Sequence, residues 1–275
     1  MKRLESRRDC PVCGSPDIFL HRKASLSVSS LNPDSVKITD REYGKVWELW
    51  RCRICTHTFA NPAPTAEFME SLYQQIEDPL YEEEAAGRAK NFLPILRVLE
   101  ELHPEKGRIF DVGAATGILL NMAKEHGWEP SGIEASRWSV QTASKKYGIP
   151  LETGDFVKAD LPGNTFDAVT MVDFIEHVPE PFMAIAQAFK ILAEDGILCV
   201  VTPDLKSFAA LAAGKKWWHF RPAHLAYFNS KSLIRLCEKA GLEVIKTRRY
   251  AWTFSIHYLL SRLPITEFLL KNSFL

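Results

Sequence analysis

From Lys106 onward, short apolar runs alternate with amphipathic stretches, and no other feature of the chain restricts its fold so tightly. RIFDV (108–112), WEPSGIE (128–134), IPLETGDF (149–156), FDAVTMVD (166–173) and GILCVVTPD (196–204) read as strands. ILLNMAKEHG, SRWSVQTASKKYG and PFMAIAQAFKIL between them read as helices. SKSLIRLCEKAG and LEVIKTRRY continue with a helix and a further strand. Ser136 suits a helix N-cap, and Gly127 and Gly148 suit helix ends. Strand–helix alternation of this kind predicts a doubly wound α/β sheet.

Composition bounds the rest. Hydrophobic residues make up 46% of the 275 and charged residues 25%, which excludes a disordered chain or a disulfide-dense mini-protein. The length suits one medium domain with a small appendage. No uninterrupted apolar run is long enough for a transmembrane helix. The opening MKRLESRRDCPVCG has no apolar signal core, so a cytoplasmic location is expected.

Ahead of the sheet lie two C-x-x-C pairs, Cys10 with Cys13 and Cys52 with Cys55. Two such knuckles can set four thiolates tetrahedrally around one zinc ion. Disulfides fit a reducing compartment poorly. A redox pair would sit beside a βαβ unit, which neither does. His57 can replace a cysteine ligand or be a bystander. KVWELW alternates like a strand and places Trp47 and Trp50 near the metal. Residues 1–62 therefore read as a zinc ribbon, 63–105 as a helical cap or linker, 106–250 as the α/β domain and 251–275 as an apolar extension. That extension can pack on the sheet, lie on a membrane surface or dimerise.

The turn after the first strand is Asp111-Val-Gly113-Ala-Ala115-Thr-Gly117. Small residues there let backbone approach a ligand, with a helix N-terminus behind it. The order is not G-x-G-x-x-G, and no G-x-x-x-x-G-K-[ST] occurs, which argues against nicotinamide cofactors and P-loop nucleotides. Acids stand at the ends of the next strands: Glu134, Asp155 and the D-F-I-E-H-V run from Asp173.

These blocks, with F-D-A-V, I-E-H-V-P-E-P and G-I-L-C-V-V-T-P-D in order, resemble the class I S-adenosylmethionine (SAM)-dependent methyltransferases. Residues 10–62 and the late stretch W-x-H-F-R-P-A-H-L-A-Y-F resemble a bacterial subgroup in which a four-cysteine ribbon precedes that domain. Ala115 stands where a glycine is usual. The resemblance implies a Rossmann-like methyltransferase sheet that binds SAM. Glu134 would accept both ribose hydroxyls, and Asp155 would accept from the adenine amino group. Phe156 would pack on the adenine or be plain core. Gly113 and Gly117 would admit the methionine end, Asp111 would order the loop, and Asp173 would line the methionine side.

Methyl transfer to an acceptor needs alignment and, for some acceptors, loss of a proton. His177 after the fourth strand and His224 in R-P-A-H-L-A-Y-F are the candidate bases. Their layout is similar to the deoxysugar C-methyltransferases, but Ala223 and Arg221 hold that motif's glutamate and tyrosine positions. Simple O- or N-methylation asks less of such a site. Trp217, Trp218 and Phe220 can wall the acceptor or tuck into the core, with His219 among them. Cys199 and Cys237 read as inert core thiols.

The formal net charge is zero, yet residues 211–275 carry 11 basic against 3 acidic side chains, and residues 63–210 carry 12 against 24. The basic segment suits an anionic, phosphate-bearing acceptor or balances the acidic middle. The expected function is methylation of a sugar, sugar nucleotide or glycan-pathway intermediate. The alternative is RNA methylation with the ribbon as a docking module, as in ribosomal-RNA guanine methyltransferases that carry a zinc site. A pI of about 7.1 weighs against it.

Overall fold

A computed structural model of the chain describes residues 3–253. The N-terminal part holds strands β1 (Leu4–Glu5), β2 (Ile18–Arg22), β3 (Leu49–Cys52), β4 (Thr58–Ala60) and β5 (Ala63–Pro64). Helices α1 (Ala66–Tyr73), α2 (Pro79–Glu83) and α3 (Ala85–Leu102) follow, α1 opened by the Thr65 side chain accepting from Phe68 N–H. Strands β6 (Arg108–Val112), β7 (Glu129–Glu134), β8 (Leu151–Thr153), β9 (Phe166–Val172) and β10 (Leu192–Val201) then form the main sheet. Helices α4 (Ile118–Glu125), α5 (Arg137–Thr142) and α6 (Pro181–Ile191) connect them. Helix α7 (Phe208–Ala213), strand β11 (Ala226–Tyr227) and helix α8 (Ser230–Lys239) complete the elements.

The main sheet is five-stranded and parallel throughout, in the order β10-β9-β6-β7-β8. Burial on both faces explains the near-continuous apolar runs in β6 and β9. On one face Leu96 and Leu99 of α3 and Leu120 of α4 pack against Ile109 and Ala168. On the other, Ile185, Ala188 and Ile191 of α6 pack against Phe110, Val169 and Met171. The chain winds outward from β6 to β8, then returns to the far side of β6 as β9. This reversal opens a crevice above the carboxyl ends of β6 and β9, where the loop at Gly113 and the acid Asp173 meet.

The expected strand over 242–250 does not form. Among the described residues no neighbouring strand pairs with it. The chain instead turns back over α3, where Thr253 N–H donates to Asn91 Oδ1 at 2.8 Å and Trp252 packs edge-on against Phe92. The apolar extension beyond Thr253 lies outside the described residues.

The cysteine-bearing sheet has the order β11-β4-β3-β2, so its fourth strand comes from late in the sequence. Without β11, strand β4 would be an open edge. The junction is reinforced by Ala60 N–H donating to Leu225 C=O at 2.7 Å and Trp47 Nε1–H donating to Pro222 C=O at 2.8 Å. Arg221 pairs with buried Asp40 and donates to the Ile38 carbonyl at 2.9 Å. Trp47 therefore lies in a separate core with Leu49, Leu72 and Tyr227, while Trp50 is the tryptophan that packs beside the cysteines. Trp217 and Phe220 belong to that second core and do not wall an acceptor, and Trp218 is 47% exposed.

Candidate active site and thiolate cluster

The loop after β6 is shaped by backbone conformation. Gly113, Ala115 and Gly117 all have positive φ, at 72°, 47° and 77°. A Cβ on Gly113 would meet Phe174 Cδ2 at 2.8 Å, so only glycine fits. Ala115 tolerates a conformation that costs L-residues roughly 1–2 kcal/mol, and its N–H is fixed by Glu134 Oε2 at 2.9 Å. Glu134 thus anchors this loop directly, whereas the direct hydrogen bond of Asp111 goes to Thr170 on β9. The other Glu134 oxygen accepts from Ser136 N–H at 2.8 Å. Burial raises its carboxyl above the usual range, opposed by these amide donors.

Asp111 is buried and accepts from Thr170 Oγ1 at 2.6 Å, tying β6 to β9. Burial pushes its carboxyl up to about 7, opposed by the Thr170 hydrogen bond. The folded state then binds a proton that the unfolded chain has released between pH ~4 and ~7. Stability conferred by the protonated form is lost as pH rises through that window. Asp111→Asn keeps an acceptor for Thr170 and removes the titration. Urea unfolding should show the wild type losing a few kcal/mol more than the variant between pH 5 and pH 7.5. Equal losses would contradict the assigned burial cost.

A cavity of about 110 Å³ sits above the crevice. Asp111, Gly113 and Ala115 line it on the sheet side, with Asp173 after β9. Asp173 Oδ1 is buried without a hydrogen-bond partner, and burial pushes its carboxyl up to about 7 against the field of Arg88. His177 and His224 line the same cavity. Their rings meet edge-on with centroids 4.8 Å apart, and Tyr73 Oη lies 3.1 Å from His177 Nδ1. Burial, reinforced by the Arg221 charge, pushes His177 down to about 3, and burial lowers His224 well below its usual value.

Gly117, Glu134, Asp155 and Phe156 do not line this cavity. Asp155 Oδ1 accepts from Val157 N–H at 2.9 Å. Phe156 is buried between Phe110 and Phe174. The sequence reading missed Arg88, which comes from α3 ahead of the sheet, and undervalued His219, which stacks on His224 at 5.6 Å. The W-x-H-F-R-P-A-H run held the signal for His219. None existed for Arg88. Cys199 is partly buried on β10, its thiol pushed up to about 12 by burial, and Cys237 is likewise raised, to about 11.

In the N-terminal sheet the Sγ atoms of Cys10, Cys13, Cys52 and Cys55 all lie within 4.8 Å of one another, and no cysteine is in a disulfide. Cys10 to Cys55 and Cys13 to Cys52 are each 3.5 Å. A tetrahedron with metal–sulfur bonds of ~2.3 Å has edges of ~3.8 Å, so the donor set fits zinc. Each knuckle ends on a residue with positive φ, Gly14 at 71° and Thr56 at 62°. The Thr56 conformation is unusual for a β-branched residue. Asn229 Nδ2 holds it by donating to Thr56 Oγ1 at 3.1 Å. His57 stands apart from the cluster, stacked on Phe59, and neither ring nitrogen has a hydrogen-bond partner.

Residues 81–247, more than half of the chain, match a family described as methyltransferase domain. The chain belongs to that methyltransferase domain family. Among curated relatives, 2-methyl-6-phytyl-1,4-hydroquinone methyltransferase 2 of Oryza sativa subsp. japonica is 26% identical over 156 residues, covering 54% of this chain and 42% of its own length. A ubiquinone biosynthesis O-methyltransferase of Neisseria meningitidis is 26% identical over 158 residues, covering 51% and 66%. The chain thus spans less than two thirds of either relative. The solved structure of a SAM-dependent methyltransferase from Archaeoglobus fulgidus shares the fold, with a TM-score of 0.52 and 19% identity over 70% of this chain and 92% of its own. The five-stranded parallel sheet is accordingly a Rossmann-like methyltransferase sheet. No helix among the described residues is long and apolar enough to cross a membrane.

Proposed function

We propose that this methyltransferase-domain protein is a SAM-dependent enzyme that methylates a hydroxylated small molecule, a sugar or glycan-pathway intermediate. One observation carries the reading: the cofactor-side residues Asp111, Gly113 and Asp173 line one cavity with His177, His224 and Arg221. SAM supplies a sulfonium-activated methyl group when bound. Gly113 and Gly117 open the backbone to the methionine end, where the unpaired Asp173 oxygen would accept from its ammonium group. Each Glu134 oxygen spends one lone pair on the loop and keeps another for a ribose hydroxyl. Asp155 and Phe156 serve the adenine end.

On the acceptor side His177 and His224 are neutral and present ring lone pairs toward the acceptor's hydroxyl. Arg221 reaches the cavity already paired with buried Asp40, so an anionic group of the acceptor would draw on Arg88, the other guanidinium in the lining. One curated relative is named an O-methyltransferase of ubiquinone biosynthesis, which supports a hydroxyl acceptor without choosing a sugar. In this reading the four cysteines hold zinc and the protein works in the cytoplasm, where thiols stay reduced. A labelled methyl-transfer screen against sugar nucleotides, lipid-linked sugars, quinols and total RNA tests the class. Transfer to a sugar is expected; transfer to RNA alone would contradict it.

Glu134→Ala removes a charge-assisted acceptor and the anchor of Ala115. Calorimetry should show SAM affinity weakened by roughly 1.5–3 kcal/mol. Unchanged affinity would contradict the placement of the ribose.

A further inference from the structure

Three metal-ligand side chains converge beside the cavity. An oxygen of Glu176 and a ring nitrogen each of His177 and His224 all lie within 4.8 Å of one another. Glu176 is 1% exposed, and its Oε1 has no hydrogen-bond partner. A buried carboxylate oxygen left unpaired is costly, so it calls for a partner. The remaining atoms are already oriented. Glu176 Oε2 accepts from Thr202 Oγ1 at 2.8 Å, and the Tyr73 hydroxyl meets His177 Nδ1 at 3.1 Å. Outer hydrogen bonds of this kind fix the rotamer and tautomer of metal ligands.

We propose that Glu176, His177 and His224 bind one divalent transition-metal ion, distinct from the ion held by the cysteines. Two imidazoles and a carboxylate on one side of an ion form a set suited to Mn²⁺, Fe²⁺, Co²⁺ or Zn²⁺ and leave coordination positions open. The cavity that His177 and His224 line adjoins this group, so an acceptor bound there would be within reach of an ion they held. A hydroxyl or vicinal diol of the acceptor fills the open positions. The cation lowers the hydroxyl's pKa, the O–H bond breaks, the proton passes to solvent, and the oxygen remains on the metal as the nucleophile. This deepens the reading of the cavity as the acceptor pocket and rests on it: the histidines' lone pairs go to the ion, not to the proton.

Mn²⁺ is the probe, because it competes poorly for thiolates and leaves the cysteine site undisturbed. Titration of the full chain with Mn²⁺ alone, followed by electron paramagnetic resonance, should show one saturable site. Glu176→Gln and His224→Asn should each weaken it by more than ~10-fold, while SAM affinity, measured in parallel, shows that each variant is folded. Tyr73→Phe should weaken it less. Absence of saturable binding up to ~1 mM, or equal binding by wild type and both substituted proteins, would overturn the proposal. In that case Glu176 is held as a neutral acid, and Glu176→Gln should be silent or stabilising. SAM binding without Mn²⁺ binding would sink only this inference. Mn²⁺ binding without SAM binding would sink only the methyltransferase reading.

Discussion

Replacing His177 by Gln or His224 by Asn is expected to lower turnover by about 10²–10⁴ while leaving SAM affinity nearly intact. Both rings line the cavity, while the loop beside it is anchored separately by Glu134. The loss should fall on kcat more than on KM, because help with the acceptor's proton is realised in the transition state. Both the proton-accepting and the metal-holding roles give this result. Steady-state kinetics of the two variants checks it. A change in kcat of less than ~3-fold in both would leave alignment and desolvation as the source of catalysis.

Exchanging Cys52 for Ser, which removes one of the four proposed zinc ligands, is expected to lower turnover by roughly 10–100-fold, although the cysteines lie beside a separate sheet. The reason is the strand order. Strand β11 closes that sheet against β4, and the same segment carries Arg221 and His224. Loosening the knuckles frees Thr56 from Asn229 and weakens the pairing of Ala226 with Phe59. SAM affinity should change by less than ~3-fold, because the β6 and β7 loops make no such pairing. Elemental analysis, calorimetry and kinetics on one preparation test this. A zinc-free protein with full activity would disconnect the ribbon from the acceptor side.

Much of the main sheet was legible because its determinants are local. Apolar runs at 108–112 and 166–172, small residues after Asp111 and the stops at Gly127 and Gly148 specify strand, turn and helix within a few positions. The thiolate cluster was legible for the same reason, since each C-x-x-C is its own turn. What stayed hidden depends on long-range pairing. Nothing in A-Y at 226–227 announces the fourth strand of a sheet whose other members end at Ala60. Whether Trp217 and Phe220 wall an acceptor or tuck into the core stayed open in the sequence, because Leu72 and Trp47, which share their core, lie about 150 residues away. Arg88 reaches the cavity only because α3 packs beside the sheet's carboxyl edge. Glu176 was visible within D-F-I-E-H-V, but its unpaired oxygen and its nearness to His224 exist only in three dimensions.

The central claim is that this crevice binds SAM and passes its methyl group to an acceptor in the adjoining cavity. Calorimetric titration of the full chain with SAM tests it most directly. One equivalent should bind, with displacement by S-adenosylhomocysteine and with affinity reduced roughly 10-fold or more in Glu134→Ala. Absence of saturable binding, or equal affinity in the variant, would contradict the account.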